Sequence, residues 1–345
     1  MSPAERWPAH LPEPEALSFG RYLAPFVVVA EHDAQQGWLP LEVLPRHAVR
    51  LDIASGGLQY GLSVFEGLKA YRDAAAGLHL FRPDAHCQRL AHSARQLHLP
   101  VMPDELLMSM MRRAVDVHRD HVPPYRRGAL YLRPTLYALE EGLGLKASAR
   151  HALCIVATPC SATSVAPARR LWAERELIRA APGGLGTAKT AANYAASMLG
   201  AQRARARGYD DALWLDAAEH RYLAEAGTMN LFIVLRDRVL TPPLDACILA
   251  GITRDSVLRR LADRGVPVEQ RPIALDDLLH WQSRGELLEC FGTGTAAGVA
   301  PIAEIGWDAA CVRSIDTQRS TQLARQLADD QDGVADDLHG WRIAV

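Results

Sequence analysis

Pro182-Gly-Gly-Leu-Gly-Thr-Ala-Lys189-Thr-Ala-Ala-Asn-Tyr194 sets one lysine behind three glycines and ahead of a small, apolar segment. Lysines ordinarily lie on wet helical faces among other charges. Here glycines 183, 184 and 186 allow positive φ or close approach of the backbone to a ligand, and Ala191, Ala192, Ala195 and Ala196 offer the ammonium nothing polar. A lysine short of water loses basicity, and the free amine is what attack on a carbonyl requires, so Lys189 is the candidate nucleophile. It does not belong to a P-loop, because Ala188 stands where the second glycine of that motif must be.

Around this segment the chain has 345 residues, enough for two domains of ~150 residues each, and a 49% hydrophobic content that supports a real core. Its 38 basic and 40 acidic side chains are interspersed for a net charge of −2, so there is no electrostatic footprint for nucleic acid or an anionic membrane. Small molecules and further copies of the chain are the expected partners. Six cysteines (Cys87, Cys154, Cys160, Cys247, Cys290, Cys311) lie far apart with no C-x-x-C, which reads as reduced, buried thiols. The proline-rich N-terminal stretch has neither a basic n-region nor an apolar h-region, and no apolar run reaches a membrane span, so a cytoplasmic protein is expected. His118 and His121 sit three apart, but their charged and proline-bearing flanks supply no third ligand, and no metal is expected.

Residues 1 to about 18 read as an extended arm over the surface. Phe26–Ala30 and Ala48–Ile53 read as strands, as does Leu78–Phe81; Pro83 then opens a helix with Cys87, Leu90 and Ala94 on one face, and a second helix spans Pro103–His118. Gly128–Tyr137 and His151–Ala157 are further strands, and the Ser, Thr, Ala and Pro-rich stretch after Pro159 is the candidate linker. Beyond the lysine come a helix ending at Gly208, a strand at Ala212–Asp216 and a strongly apolar strand after Asn230. From Thr317 a helix leads to an acidic break at Asp329–Gly333, read as a solvated face.

Several residues are candidates for chemistry, each with a plain alternative. Arg82 at a strand end is a surface residue or a phosphate ligand. Tyr131 and Arg133 share a strand face, as a packing pair or as joint holders of a carboxylate. Glu225 stands among small residues before an apolar strand, as a cap or as partner to a buried cation. Gly251 and Thr253 open a helix whose free N–H groups form an anion site unless it is an ordinary capped end. Phe291-Gly-Thr-Gly294-Thr-Ala-Ala-Gly298 looks like a dinucleotide fingerprint, but Val299-Ala-Pro301 follows instead of a helix.

Phe65-Glu-Gly-Leu-Lys, Leu80-Phe-Arg-Pro, Tyr131-Leu-Arg-Pro, Gly-Gly-Leu-Gly-Thr-Ala-Lys189, Ala192-Asn-Tyr194, Glu225-Ala-Gly-Thr-Met-Asn, Thr241-Pro-Pro-Leu, Ala250-Gly-Ile-Thr-Arg and Phe291-Gly-Thr-Gly-Thr-Ala occur in one order along the chain. In this it resembles the branched-chain amino acid aminotransferases among class IV pyridoxal-phosphate enzymes, from about residue 19 to 340. The resemblance implies an α+β protein of fold type IV: a small α+β domain over 1–160 with an N-terminal arm, an interdomain loop at 161–172, and a large domain over 173–345. The large domain would have a pseudo-barrel β core, with the cofactor in the cleft between the domains.

The same resemblance implies pyridoxal 5′-phosphate on Lys189, which then carries the proton between substrate Cα and cofactor. Glu225 would bond the pyridine nitrogen and Tyr194 the phenolic oxygen, while Arg82, Ile252, Thr253 and Thr295 would hold the phosphate, with Thr228, Gly251 and Gly294 beside them. Tyr131, Arg133, Thr295 and Ala296 would meet the substrate carboxylate, and Tyr60, Phe65 and Gly67 its side chain. Leu143 and Leu145 match positions supplied by a partner subunit, so a homodimer or higher homo-oligomer is expected. The implied reaction is transamination of leucine, isoleucine or valine with 2-oxoglutarate. An atypical amino donor and a lyase of the 4-amino-4-deoxychorismate type are the alternatives. Departures from the family pattern are Ala191-Ala192 where two glycines are usual, Gln59 in place of a histidine, only small residues near Thr163, and Ala297 and Ala300 at the positions of a redox C-x-x-C.

Overall fold

The structure, a computed structural model, describes residues 7–162, 167–245 and 247–345. The chain divides into two units, each with its own sheet. The expected interdomain loop residue Thr163 lies outside the described residues, and a strand is already under way at Arg169.

The first unit takes Met1–Ala162, Ala188–Ala191 and Asp329–Val345. Its sheet is built on the long strand Gly128–Ala138, paired antiparallel along its whole length with Arg150–Ser161. Strand Leu68–Arg72 lies on the other side, followed outward by Leu78–Phe81 and Arg342–Ala344, while Phe26–Asp33 extends the sheet beyond Arg150–Ser161. Helices Pro83–Gln96 and Asp104–Val117 bury Cys87, Leu90, Ala94, Leu107, Met110, Met111 and Ala114 with Leu68, Leu80, Leu130 and Leu132 of the sheet. The three-to-four spacing of those helical residues makes one apolar stripe per helix, and burying it is what holds each helix down.

The second unit takes Thr163–Thr187 and Ala192–Ala328. Six of its strands close on themselves: Leu223–Ala226, Asp211–Leu215, Arg169–Glu174, Gly298–Trp307, Leu287–Gly294, Met229–Leu235 and back to Leu223–Ala226. Arg169–Glu174 is parallel to both neighbours, and the other joints are antiparallel. Closure leaves these strands no unpaired edge, and their apolar residues form a second core with Leu213, Leu231, Ile233, Cys290 and Ile302. Helix Ala191–Ala206 lies close to this unit's Trp214: a Cβ on Gly200 would fall 2.3 Å from its indole.

Two readings of local structure need correction. Ala48–Ile53 is not a strand; the strand there is Glu42–Pro45, paired with Phe26–Val29. Asp52 takes the backbone elsewhere, its carboxylate accepting from Ala54 N at 2.7 Å, and Leu51 and Ile53 remain exposed. The acidic run is no break either, because helix Gln318–Asp332 continues through it to Gly333 at φ 77°. Asp330 is buried and Asp329 pairs with Arg126 at 3.1 Å, so these charges are docked. The arm also folds locally, with a 3-10 turn at Pro14–Ala16 that buries Pro14.

Candidate active site

Lys189 is fixed from both sides through its backbone. Its N–H donates to the buried Ser93 Oγ at 2.9 Å, from helix Pro83–Gln96, and its carbonyl accepts from Phe65 N at 2.9 Å. Thr190 continues the attachment: it bridges to Val64, and its hydroxyl donates to Ser63 O at 2.8 Å. The lysine therefore rides on strand Ser63–Phe65. Its Nζ lies 4.8 Å from the centre of the Phe65 ring, a distance at which the ring quadrupole attracts an ammonium. The side chain is half-buried. The shielding expected from the alanines is absent, since Ala192, Ala195 and Ala196 face solvent on the helix that starts at Ala191, and Phe65 supplies the apolar contact instead.

Directly after Phe65 comes a buried charge cluster. The Glu66 carboxylate accepts from Arg89 Nε at 2.7 Å and Nη2 at 2.9 Å, and meets His86 Nδ1 at 2.6 Å. Burial alone would raise the Glu66 pKa, but Arg89 and His86 outweigh it and hold the carboxyl well below the usual range. Burial also pushes His86 down, against the pull of Glu66, and nearby Lys189 adds to the lowering. A depressed carboxylate stabilises the fold fully above the ordinary glutamate value, and that contribution is lost as pH falls through the folded-state value. Glu66→Gln should therefore cost ~3–5 kcal/mol near neutral pH, by stranding Arg89. The gap to the parent protein should narrow on acidification below about 4.5, which thermal melts across pH would show.

Tyr131 and Arg133 lie together on strand Gly128–Ala138, with Arg133 Nη2 donating to the Tyr131 hydroxyl at 3.0 Å. The Arg133 guanidinium also lies 4.7 Å from the Phe65 ring centre, and its Nε is buried without a hydrogen-bond partner. Phe19 meets the Tyr131 ring edge-on at 4.8 Å, and burial pushes the Tyr131 phenol up. Gly67 is glycine for a steric reason: a Cβ there would sit 1.8 Å from the Tyr131 hydroxyl. Gly67→Ala must displace that phenol, so kcat/KM should fall ~10–100-fold while the protein still folds. A change under about twofold in steady-state assays would show that Tyr131 does not meet substrate.

Arg82 is buried, at 6% exposure, at the N-cap of helix Pro83–Gln96. Tyr60 is partly exposed and its hydroxyl donates to the Leu143 carbonyl, so Tyr60 and the Leu143–Leu145 loop form one surface feature. Leu143 and Leu145 are 71% and 74% exposed.

In the second unit Glu225 is buried on strand Leu223–Ala226 and forms an ion pair with Arg179. This decides between the two sequence readings of Glu225: it is the partner of a buried cation. Arg179 also donates to Cys247 O at 2.8 Å, and Asn230, opposite Glu225 in the ladder, donates to Leu249 O at 2.9 Å. A Cβ on Gly251 would fall 1.8 Å from Asn230 Oδ1, so the backbone that opens helix Ile252–Asp263 runs against the Glu225 group. Ile252 is buried and Thr253 half-buried at that helix start, and Tyr194 is half-buried in the first turn of Ala191–Ala206. Thr228 is exposed in the two-residue turn joining Ala226 to Met229. Gly294, Thr295 and Ala296 belong to the hairpin in which Gly294 pairs with Gly298.

The residues thus fall into two sets. Lys189, Phe65, Gly67, Tyr131 and Arg133 gather in the first unit with Arg82 on a neighbouring strand end, and Glu225 gathers with Gly251 and the helix start in the second. Sequence reasoning missed Arg179, Ser93 and the His86–Arg89 pair. Glu66 lay inside a quoted motif, and a glutamate between a phenylalanine and a glycine was the one available signal of a buried carboxylate. Among the described residues no helix is long and apolar enough to cross a membrane, and His118 uses its ring on Ala114 O and Phe26 N.

The family model for class IV amino-transferases matches residues 63–305. A probable branched-chain-amino-acid aminotransferase of Staphylococcus epidermidis is 37% identical over 97% of this chain and 95% of its own length. The branched-chain aminotransferase of Thermoproteus uzoniensis, solved with norvaline, superposes with a TM-score of 0.75 at 26% identity, over 92% of this chain and 99% of the other. The branched-chain amino acid aminotransferase of T.th., complexed with N-(5′-phosphopyridoxyl)-L-glutamate, gives 0.75 at 28% identity over 92% and 97%.

Proposed function

The chain belongs to the branched-chain amino acid aminotransferases of class IV, and we propose that it passes the amino group of leucine, isoleucine or valine to 2-oxoglutarate through pyridoxal 5′-phosphate. The observation that carries the assignment of residues is the fixed backbone of Lys189 beside Phe65, with Tyr131 and Arg133 on the same sheet. The donor set fits the cofactor. A half-buried amine suits an aldehyde, a buried carboxylate held by Arg179 suits a ring nitrogen, and a buried arginine together with a helix start suits a phosphate.

When bound, pyridoxal phosphate supplies an electron sink for the pair released at the substrate Cα. Lys189 would hold the cofactor through Nζ and would serve as the base and acid that moves the proton at the substrate Cα. Glu225 would bond the pyridine nitrogen, and the Arg179 guanidinium pairs with that carboxylate. Tyr194 would bond the phenolic oxygen. Arg82, the N–H groups of Ile252 and Thr253, and Thr295 would hold the phosphate, with Thr228, Gly251 and Gly294 beside them. Tyr131, Arg133 and the Thr295–Ala296 turn orient the substrate carboxylate, for which the buried, unpartnered Arg133 Nε is the strongest support. Tyr60, Phe65 and Gly67 border the side-chain pocket.

Leu143 and Leu145 complete the site of a partner subunit in a homodimer. Their support is the exposure of both leucines. Leu143→Asp with Leu145→Asp should shift the protein toward monomer in light scattering and lower turnover with it.

The reading is tested by adding single amino acids to the purified holoenzyme and following the cofactor absorbance. L-leucine, L-isoleucine and L-valine should each convert the band without any acceptor present. A band that none of the three changes would remove the substrate assignment while leaving the cofactor in place.

A further inference from the structure

We propose that Trp341 is a positioning residue for Arg82, and that the strand it introduces is part of the phosphate grip. The proposal rests on the assignment of Arg82 to the cofactor phosphate. Arg82 adopts φ 53° and ψ 43°, a left-handed conformation that a non-glycine residue keeps only where its surroundings over-determine it. Residues 339–344 supply part of those surroundings. Strand Arg342–Ala344 pairs antiparallel with Leu78–Phe81, Arg342 opposite Phe81, and Arg82 N then donates to Trp341 O at 2.6 Å. The ladder is thereby carried one residue further, so that Trp341 faces Arg82.

The side chains repeat the pairing. The Arg82 guanidinium carbon lies 5.3 Å from the centre of the Trp341 ring, and both residues are buried. The indole is itself clamped: His339 stacks on it at 4.6 Å and 20°, and Phe81 meets it edge-on at 5.6 Å. A cation over an aromatic face is held through its charge, without spending N–H donors on the contact, which suits a guanidinium that must present those donors to phosphate oxygens. A ring that is already fixed also removes arginine rotamers before the ligand arrives, and ordering them beforehand lowers the cost of binding. Nothing in this arrangement concerns the pyridine ring or the amino acid.

The test separates phosphate from the rest of the cofactor. Protein stripped of cofactor is titrated with pyridoxal 5′-phosphate and, separately, with pyridoxal, and each dissociation constant is read from the absorbance band. Trp341→Leu should weaken binding of the phosphate form ~10-fold and leave pyridoxal within about twofold. Trp341→Phe, which keeps a ring and is the safer variant for folding, should lose only ~3-fold with the same selectivity. In an Arg82→Ala background, Trp341→Leu should add almost nothing, because the residue it positions is gone. Equal loss for both ligands, or an undiminished effect without Arg82, would overturn the positioning role while Arg82 keeps its own. If Arg82→Ala fails to distinguish pyridoxal phosphate from pyridoxal, the Arg82 assignment falls and the role of Trp341 with it.

Discussion

Replacing Lys189 by alanine should lower turnover at least ~10⁴-fold, since in its proposed role one side chain would both hold the cofactor and move the proton. The fold should survive. What anchors this residue is its backbone, through Ser93 Oγ and Phe65 N, and alanine keeps both bonds. The neighbouring Thr190 keeps its own bridge to Val64 and its bond to Ser63 O, so the strand attachment does not depend on the amine. Melting temperature should accordingly change little, and truncation of the side chain leaves the Arg133 guanidinium still 4.7 Å from the Phe65 ring centre. Two measurements carry the claim. The visible cofactor band should disappear on purification, and exogenous methylamine should restore a measurable part of the turnover, because it resupplies the proton carrier without the tether. Residual activity above about one part in a hundred, with no band and no rescue, would show that Lys189 is not the proton carrier.

Lys189 was legible in the sequence because glycines and alanines are cheap to recognise around a lone charge, although the alanines turned out to play a different part. The helix they form exposes them, and the apolar contact comes from Phe65, more than a hundred residues earlier. Helices Pro83–Gln96 and Asp104–Val117 were readable from their spacing, since each carries its stripe within its own residues. Ala48–Ile53 was misread for the opposite reason: its alternation had no strand to pair with, and Asp52 offered the backbone a local bond. The acidic run Asp329–Asp332 misled in the same way. Its charges look solvated until Arg126, distant in sequence, is brought to Asp329.

Closure of the six-stranded ring was beyond any local pattern, and only the resemblance implied a barrel. It depends on Arg169–Glu174 lying parallel to strands more than thirty and more than a hundred residues onward, and no turn signal records such pairings. Charged partners were hidden likewise. Arg179 stands in a stretch with no motif of its own, and Arg89 occupies a helix whose visible message was its apolar face. Sequence motifs marked the groups proposed to meet ligand, but not Arg179, Arg89 or Ser93, which hold their neighbours in place. Trp341 is a further instance, since its contact with Arg82 follows from strand pairing between residues at opposite ends of the first unit.

Glu225→Gln should separate two consequences of one carboxylate. The amide matches the glutamate in size and still offers an oxygen to Arg179, but it lacks the charge that the proposed role at the pyridine nitrogen requires, so kcat should fall ~10³-fold with KM within about threefold. The second consequence is structural. Arg179 is only 11% exposed in its side chain and pairs with Glu225 directly, so removal of the negative charge leaves a nearly buried cation with neutral partners, Cys247 O among them. The cost should be about 3 kcal/mol, at the low end for breaking a buried pair because the amide oxygen still accepts. Adding Arg179→Met removes the stranded charge, and the double variant should recover most of the melting temperature. It should not recover kcat, since methionine restores neither the carboxylate nor its proton. Recovery of both together would mean that Glu225 acts only through the stability of its pair with Arg179. Recovery of neither would place the damage in the Asn230–Gly251 contact behind the carboxylate, where a Cβ already has no room.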